Sequence, residues 1–327
     1  MNQFWKDMGI AFTMGFVVPA VLLAAVVSIT ERETEVPLLT EPILVTESAP
    51  VERERNRMIS VLDEKGMIIH LSMDDYLTCV VLAEMPASFE DEALKAQSVV
   101  ARTYAMRAAE GASKHENAAV CTDSSCCQGY TDPEYYLSKG GKEENIRRIR
   151  ALVRSTDGQV LTYEGNLIEA TYFSCSGGAT EDAVAVWGTD VPYLQSVISP
   201  GEEQATHYTD TVTFTAAEFS SKLGLELSGM PAQWFSSVTY TNGGGVDTIT
   251  IGGEVFSGTQ LRKMLNLRST AFTVMTQADT ITIQTRGYGH RVGMSQYGAD
   301  AMAATGSTYS EILAHYYQGT ELTDCFD

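Results

Sequence analysis

The acidic side chain of Glu84 follows four apolar residues, VVLA at 80–83, and comes just before Pro86. A carboxyl group in apolar surroundings keeps its proton more readily than one in water, so it can act as a general acid near neutral pH. Because proline ends helices, Pro86 places Glu84 at a helix end where a cleft can open. The alternative is that Glu84 faces solvent or pairs with Arg102 or Arg107 of the next helix.

A second group of reactive residues lies in the stretch HENAAVCTDSSCCQGY, residues 115–130. His115, Cys121 and Cys127 are separated by five residues each, and Cys126 is adjacent. Thiolates with one imidazole suit Zn²⁺, although this spacing is not that of a zinc finger. The alternatives are a disulfide between Cys121 and either Cys126 or Cys127, or unpaired thiols. The chain has only 6 cysteines in 327 residues, so we expect a core that does not depend on disulfides.

Two stretches rich in small residues could contact a polar ligand. SCSGGATE, residues 174–181, offers the hydroxyls of Ser174 and Ser176 to a neutral ligand such as a sugar, although most Ser-Gly-Gly runs are turns. GYGHRVGMSQYG, residues 287–298, places glycines between a strand and a helix start, where backbone N–H groups can face an anion or a hydroxyl. His290 is the titratable residue there. It either takes part in chemistry or bonds to the backbone to hold the turn.

Both helices and strands must position these residues. Alternating apolar residues predict a hairpin over 58–72, and helical spacing predicts helices over 72–86 and over 90 to about 110. Gln97 falls in the apolar stripe of the second helix, so it needs a partner or lines a cleft. Strand-like pieces over about 205–275 suggest an inserted lobe. The predicted class is mixed α/β (α+β), with helices packed on a mixed sheet in one domain or two lobes, after an N-terminal transmembrane helix.

The N-terminal residues determine the expected location of the protein. Residues 10–29 contain no charged side chain, and about twenty such residues cross a bilayer as one helix. We expect a membrane anchor over 1–29 rather than a cleaved signal peptide, then an extracytoplasmic stalk over 30–57 and the working domain over 58–327. The net charge of −20 argues against nucleic acid as a partner, because phosphates require basic patches. An anionic substrate would need local arginines.

Three stretches occur in the order found in one known family: LAEMPASFEDEALKAQSVVARTYA, YFSCSGGATE and GYGHRVGMSQYGADAMAATGSTYSEILAHYYQG. From about residue 60 to 322 the chain resembles the family of stage II sporulation protein D and the amidase enhancers. The resemblance implies a lytic transglycosylase that cuts peptidoglycan glycan strands during forespore engulfment, after an amidase has removed the stem peptides. It also implies a place on the mother-cell or septal membrane, and stage II sporulation proteins P and M as partners.

The glutamate of the family's E-[MI]-P motif maps onto Glu84, so the resemblance implies that Glu84 is the catalytic acid. Glu84 would protonate the glycosidic oxygen after N-acetylmuramic acid and then take the proton of that sugar's C6 hydroxyl, which closes a 1,6-anhydro ring. A muramidase that uses water, and a non-catalytic glycan-binding enhancer of an amidase, are the alternatives. Residues within the family's motifs are candidates for substrate binding: Gln97, Arg102, Tyr104, Ser174, Ser176, Gln296 and Tyr297.

The substrate and the family pattern add three expectations. A peptide-free strand carries lactyl carboxylates, which Arg102 or another motif arginine would bind. Arg291 stands where the family commonly has Gly after the histidine, so the family pattern does not define the geometry of the turn around His290; Gln318 stands where the family commonly has Pro. Some family members hold zinc with a similar cluster, and the resemblance therefore favours Zn²⁺ in a structural role at His115, Cys121 and Cys127.

Overall fold

The computed structural model describes residues 57–325. In this part of the chain helices and strands are mixed along the sequence, which confirms the predicted α+β class. The α-helices are α1 Met73–Glu84, α2 Asp91–Arg107, α3 Pro133–Ser138, α4 Glu143–Ser155, α5 Ala183–Trp187, α6 Ala216–Leu223, α7 Gly258–Met264, α8 Gln296–Ala304 and α9 Tyr309–Tyr316. The β-strands are β1 Met58–Leu62, β2 Ile68–Ser72, β3 Val120–Cys121, β4 Gln159–Tyr163, β5 Asn166–Leu167, β6 Tyr172–Phe173, β7 Thr209–Thr215, β8 Phe235–Tyr240, β9 Val246–Ile251, β10 Glu254–Ser257, β11 Phe272–Gln277, β12 Thr280–Arg286, β13 Met294–Ser295 and β14 Glu321–Asp324.

The strands form several small sheets instead of the single mixed sheet expected. Their orders are β2-β1-β3, β14-β4-β5, β13-β6, β10-β9-β8 and β11-β12-β7. Pairing is antiparallel except between β1 and β3 and between β6 and β13, which are parallel. The predicted hairpin over 58–72 is confirmed, with Met58 opposite Ser72.

The first two helices end where local sequence signals place them. The Ser72 side chain accepts a hydrogen bond from the Asp75 backbone N–H and so caps α1, which ends at Glu84 just before Pro86. Helix α2 continues into a π-helical turn over Ala108–Ala112, where Gly111 adopts a φ of 118°. The helix predicted over 90 to about 110 is therefore present, and glycine allows the chain to turn away from it.

Helix α2 lies at the centre of the main core. Helices α1, α4, α8 and α9 and strand β4 all pack against it, and 12 of its 17 residues are buried. A helix packed on all sides directs its polar side chains into the protein as well as its apolar ones. This packing decides the environment of two candidate residues, Gln97 and Arg102.

A second apolar core lies between β7 and β12 of the chain. Phe219 packs between Phe214 and Trp234, with ring centroids 6.1 and 6.4 Å away. The sheets β10-β9-β8 and β11-β12-β7, together with helices α6 and α7 and the residues that follow α7, supply the rest of this core. The boundaries of an inserted lobe at about 205 and 275 stay a prediction. The separate core shows that this stretch buries its own apolar side chains.

The predicted anchor over 1–29 and stalk over 30–57 lie outside the described residues, apart from Arg57. Among the helices of residues 57–325, none has the length and apolar character needed to cross a membrane.

Candidate active site

Glu84 is the last residue of α1, and its partly buried side chain opens into a cleft of about 600 Å³. Val80, Val81, Leu82 and Met85 belong to the main core, whereas Glu84 lines the cleft. The walls come from distant parts of the chain, and the lining residues include Tyr104, Lys114, Cys126, Cys127, Gln128, Glu169, Tyr172, Phe173, Ser174, Trp187, Tyr288, His290 and Gln296.

Polar groups, not apolar ones, surround the carboxyl oxygens of Glu84, which corrects the expectation from its sequence neighbours. Oε1 accepts hydrogen bonds from the Gly129 backbone N–H at 2.5 Å and from the Tyr172 hydroxyl at 3.0 Å. Oε2 has a longer contact of 3.4 Å with Gln296 Nε2. One oxygen is therefore fully engaged, while the other keeps capacity to exchange a proton with a bound molecule.

The alternative pairing of Glu84 with an arginine is not what the contacts show. The guanidinium of Arg107 lies 3.9 Å from Glu169. Arg102 is fully buried and donates to the carbonyl oxygens of Val153 and Gln159, at 3.2 and 3.1 Å. Both arginines have partners other than Glu84.

A chain of side-chain hydrogen bonds orients Tyr172 toward Glu84. The Tyr76 hydroxyl donates to Gln128 Oε1 at 2.9 Å, and Gln128 Nε2 donates to the Tyr172 hydroxyl oxygen at 3.3 Å. Burial, followed by the charge of Glu84, raises the pKa of Tyr172 well above its ordinary value. The Tyr172 hydroxyl therefore keeps its proton and acts as a donor to Oε1.

The parallel pairing of β6 with β13 brings two of these residues together. Tyr172 pairs with Met294, and Phe173 with Ser295, so α8 starts directly beside β6. Gln296 is the first residue of α8 and thereby reaches the carboxyl group at the end of α1. Three separate segments of the main body converge on Glu84.

His290 lies in the cleft wall as a neutral side chain. Burial, with a smaller effect of the Arg262 charge, lowers its pKa to about 4. Its Nδ1 accepts a hydrogen bond from the Val292 backbone N–H at 3.1 Å, and its ring packs against Phe173 and Trp187 with centroid distances of 5.7 and 5.5 Å. These contacts are those of a histidine that holds the turn.

Arg291 explains how the turn after His290 forms without the family's glycine. Its φ of 68° is left-handed, a conformation that costs a non-glycine residue roughly 1–2 kcal/mol. The buried guanidinium bonds to Glu181 Oε1 at 2.9 Å and to the carbonyl oxygens of Ala179 and Gly243 at 2.7 and 2.6 Å. These charge-assisted bonds offset the backbone strain and join the turn to the loop between β8 and β9.

The predicted Cys/His cluster comes together, and it contains four residues instead of three. The ligand atoms of His115, Cys121, Cys126 and Cys127 all lie within 4.8 Å of one another. His115 Nε2 is 3.4 Å from Cys127 Sγ and 3.7 Å from Cys126 Sγ, and these two sulfurs are 3.9 Å apart. A tetrahedral Zn²⁺ site has Zn–S bonds of about 2.3 Å and Zn–N bonds of about 2.0 Å. These bond lengths require about 3.5 Å between the nitrogen and a sulfur ligand and about 3.8 Å between two sulfur ligands. The cluster therefore fits a metal ion, and the six cysteines, all within 57–325, form no disulfide.

The other predicted binding residues divide into two groups. Tyr104, Ser174 and Gln296 line the cleft. Gln97, Arg102, Ser176 and Tyr297 do not. Ser176 is buried and donates to Glu202, and Tyr297 packs edge-on against Phe89 at 5.0 Å. Gln97 is fully buried, and its amide has no hydrogen-bond partner among the described residues.

Sequence reasoning missed Tyr172, Gly129, Gln128, Lys114 and Trp187. Tyr172 begins the motif YFSCSGGATE, and Gln128 and Gly129 follow the cysteines, so each lay within or beside a stretch already singled out. Nothing in the local pattern marks them as neighbours of Glu84, because the contacts span 45 to 88 residues of chain.

The fold and cleft define a class: an α+β protein with one carboxyl group held by fixed donors beside a Cys/His cluster. A family model described as stage II sporulation protein matches residues 63–163, which include Glu84 and the cluster. The chain is 39% identical over 282 residues to stage II sporulation protein D of Bacillus subtilis (strain 168), across 85% of this chain and 79% of that protein. The corresponding protein of Bacillus amyloliquefaciens is 38% identical over the same shares. The chain belongs to the stage II sporulation protein D family.

An amidase enhancer of Bacillus subtilis (strain 168) is similar as well. It is 32% identical over 302 residues, which cover 75% of this chain and 40% of the enhancer. The predicted family is thereby confirmed on both of its named branches.

Proposed function

We propose that this protein is a lytic transglycosylase that cleaves peptide-free glycan strands of peptidoglycan, with Glu84 as its acid and base. The observation that carries the proposal is the position of Glu84 in the wall of a cleft, with one carboxyl oxygen bound by two donors and the other in a longer contact of 3.4 Å with Gln296. The names of the relatives connect the family with sporulation and with amidase action. Forespore engulfment is the stage at which we place the activity.

The proposed reaction follows from the different hydrogen bonding of the two carboxyl oxygens of Glu84. Because Oε1 accepts from Gly129 and Tyr172, the transferable proton resides on Oε2. Oε2 donates this proton to the glycosidic oxygen that leaves C1 of N-acetylmuramic acid. The carboxylate then removes the proton of the C6 hydroxyl as that oxygen bonds to C1 and closes the 1,6-anhydro ring. Glu84 ends protonated, and no water is consumed.

The two groups that donate hydrogen bonds to Oε1 assist the step in which Glu84 is negatively charged. When Glu84 loses its proton, the N–H of Gly129 and the hydroxyl of Tyr172 stabilise the negative charge without having to move. Gln296 is adjacent to Oε2 and can orient it toward the sugar, since an amide accepts as well as donates.

Hydrolysis with water is the second candidate function, because Glu169 also lines the cleft. Glycosidases that use water need a second carboxylate. Glu169 is half-exposed and lies 3.9 Å from Arg107, so it is less free to serve as that base. A non-catalytic enhancer of an amidase is the candidate from another class, in keeping with the similarity to the amidase enhancer.

We propose a structural Zn²⁺ at His115, Cys121, Cys126 and Cys127. The ion would supply no chemical step; it would hold the segment that ends in Gln128 and Gly129, the residues that contact Tyr172 and Glu84. Removal of the metal by a chelator should therefore lower the melting temperature and the cleavage rate together, and readdition should restore both. A chelator that leaves metal-free protein with full stability would contradict this role.

The location and partners of the protein follow from the same proposal. We place it at the mother-cell or septal membrane, through an anchor over 1–29, with the domain outside the cytoplasm. Stage II sporulation proteins P and M are proposed partners. Co-purification of the full chain from sporulating cells, against a chain that lacks residues 1–29, tests both points.

Product analysis tests the reaction type directly. Digestion of peptide-free glycan should give 1,6-anhydro ends in mass spectra, whereas reducing ends would establish hydrolysis. Glu84→Gln should bind the same strands without cleaving them. If Glu84→Gln retains the wild-type rate, the assignment of Glu84 is wrong, and the enhancer alternative becomes the better one.

A further inference from the structure

The cleft contains a positive charge that sequence reasoning did not identify. Among the described residues that line it, Lys114 is the one lysine or arginine. It lies between the π-helical turn after α2 and the cluster residue His115, and its side chain is exposed. Arg102, the residue expected to supply this charge, is fully buried and bound to the end of α4.

Local contacts hold the Lys114 ammonium group at the cleft. Its Nζ donates a hydrogen bond to the carbonyl oxygen of Cys126 and lies 5.9 Å from the centre of the Tyr104 ring. An ammonium group has three N–H donors. One is used by Cys126, so two remain for a ligand.

The surroundings of Lys114 make its charge decisive for an anionic ligand. The chain carries a net charge of −20, and the cleft also holds the carboxyl groups of Glu84 and Glu169. An anion that enters therefore meets repulsion from most of the protein and attraction at one lining residue. This pattern suits a ligand that is largely neutral and has one carboxylate at a fixed place.

We propose that Lys114 binds the lactyl carboxylate of N-acetylmuramic acid and thereby makes the cleft selective for strands without stem peptides. The inference rests on the proposed function. While a stem peptide is attached, the lactyl carboxyl group is part of a neutral amide. Hydrolysis of that amide creates the carboxylate and removes the peptide's bulk. Lys114 would therefore recognise the product of that amide hydrolysis.

A chemically altered substrate separates the effect of the lactyl charge from the effect of the stem peptide's bulk. Peptide-free glycan is compared with the same glycan after carbodiimide coupling to methylamine, which turns each lactyl carboxylate into a small neutral amide. Wild-type protein should cleave the unmodified strands with a kcat/KM about 10-fold higher or more. Lys114→Met should lose most of this preference through a higher KM on the unmodified strands, with kcat little changed.

Two further variants control for structure. Lys114→Arg keeps the charge and should keep the preference, and Lys65→Met removes an exposed lysine from the β1–β2 turn and should behave as wild type. The zinc content and melting temperature of Lys114→Met are measured in parallel. Equilibrium binding by Glu84→Gln, with and without Lys114→Met, gives the same comparison in the absence of cleavage.

The outcomes distinguish this inference from the proposed function. If Lys114→Met discriminates between the two glycans as well as wild type does, in cleavage and in binding, the role of Lys114 is refuted while the transglycosylase stands. If wild type produces no 1,6-anhydro ends, the proposed function fails, and the binding comparison still decides whether Lys114 recognises the carboxylate.

Discussion

Two glutamates in this protein, Glu84 and Glu202, are held by hydrogen bonds in opposite ways. Glu202 is 1% exposed; its Oε2 accepts from the N–H groups of Ser176 and Gly177 at 2.6 and 3.2 Å, and its Oε1 accepts from the hydroxyls of Ser176 and Ser199. Both of its oxygens are occupied and closed off. Glu84 lines the cleft and has two donors on Oε1, whereas Oε2 has a longer contact of 3.4 Å with Gln296.

The difference shows what separates a carboxylate that is closed off by its donors from one that lines a cleft. Hydrogen-bond donors fix the position of both groups and stabilise their negative charge. Only Glu84 combines a fixed position with an accessible oxygen, and proton transfer to a substrate requires that access. Glu202 joins the loop after β6 to α9, since Ser199 also contacts the Tyr316 hydroxyl at 2.6 Å.

The largest effect should come from removing the acid at the open site. We expect Glu84→Gln to lower the rate of 1,6-anhydro end formation about 10³-fold, because the amide cannot donate and recover a proton. The free energy of unfolding should change by less than about 1 kcal/mol, since the amide keeps an acceptor oxygen for Gly129 and Tyr172. A rate within tenfold of wild type would remove the distinction between the two glutamates.

The pH dependence of stability tests whether His290, a residue of the cleft wall, is shielded from water as Glu202 is. Its pKa is about 4 in the folded protein and 6.5 ordinarily, so the unfolded chain binds more protons between these values. The free energy of unfolding should therefore fall as the pH drops from 6.5 to 4, by up to about 3 kcal/mol from this residue. Denaturant titrations of wild type and His290→Asn should show a steeper fall in wild type. Equal slopes would mean that His290 is hydrated in the cleft.

The substitution Glu202→Gln should affect stability more than activity. Loss of the negative charge weakens several charge-assisted hydrogen bonds, and we expect the free energy of unfolding to fall by roughly 2 kcal/mol. The folded variant should cleave glycan at a rate within about threefold of wild type. If its activity is lost while the melting temperature is unchanged, Glu202 contributes to the chemistry, and the comparison fails.

A smaller effect is expected from Gly129→Ala. A Cβ atom at Gly129 would lie 2.8 Å from Glu84 Oε1 and 3.3 Å from the Ala83 Cβ. The Glu84 side chain can move aside at little cost to stability, but its carboxyl group then leaves the position set by Tyr172. We expect kcat to fall about 10-fold with unchanged zinc content. An unaltered kcat would show that the position of Oε1 is not critical.

Sequence information sufficed wherever the cause is local. Ser72 caps α1 through the backbone three residues away, and Pro86 limits the same helix, so the end of α1 at Glu84 was predictable. The His115–Cys127 cluster was also predictable, because its ligands lie within one short stretch whose side chains share a chemical preference. The identity of Glu84 as the candidate acid came from the family motif.

Burial on α2 was the main source of error. Arg102 and Gln97 lie on a helix that other elements surround, and a 3.6-residue period cannot show which side of such a helix meets a cleft. Arg102 bonds to Val153 in α4 and to Gln159 in β4, which are 51 and 57 residues away. Ser174 and Ser176 belong to the same motif, SCSGGATE, but the Ser176 hydroxyl donates a hydrogen bond to Glu202 and does not line the cleft.

The amino-acid sequence alone determined the helix ends, the first hairpin and the grouping of the metal-ligand residues, because each depends on residues close together in the chain. Tertiary structure decided which donors hold the carboxyl group of Glu84 and which cation lines the cleft. Gln296 reaches Glu84 across 212 residues of chain, and Lys114 takes the place expected for Arg102. Such proximities arise only when helices and small sheets pack together, since packing selects which polar side chains remain in contact with water and ligand.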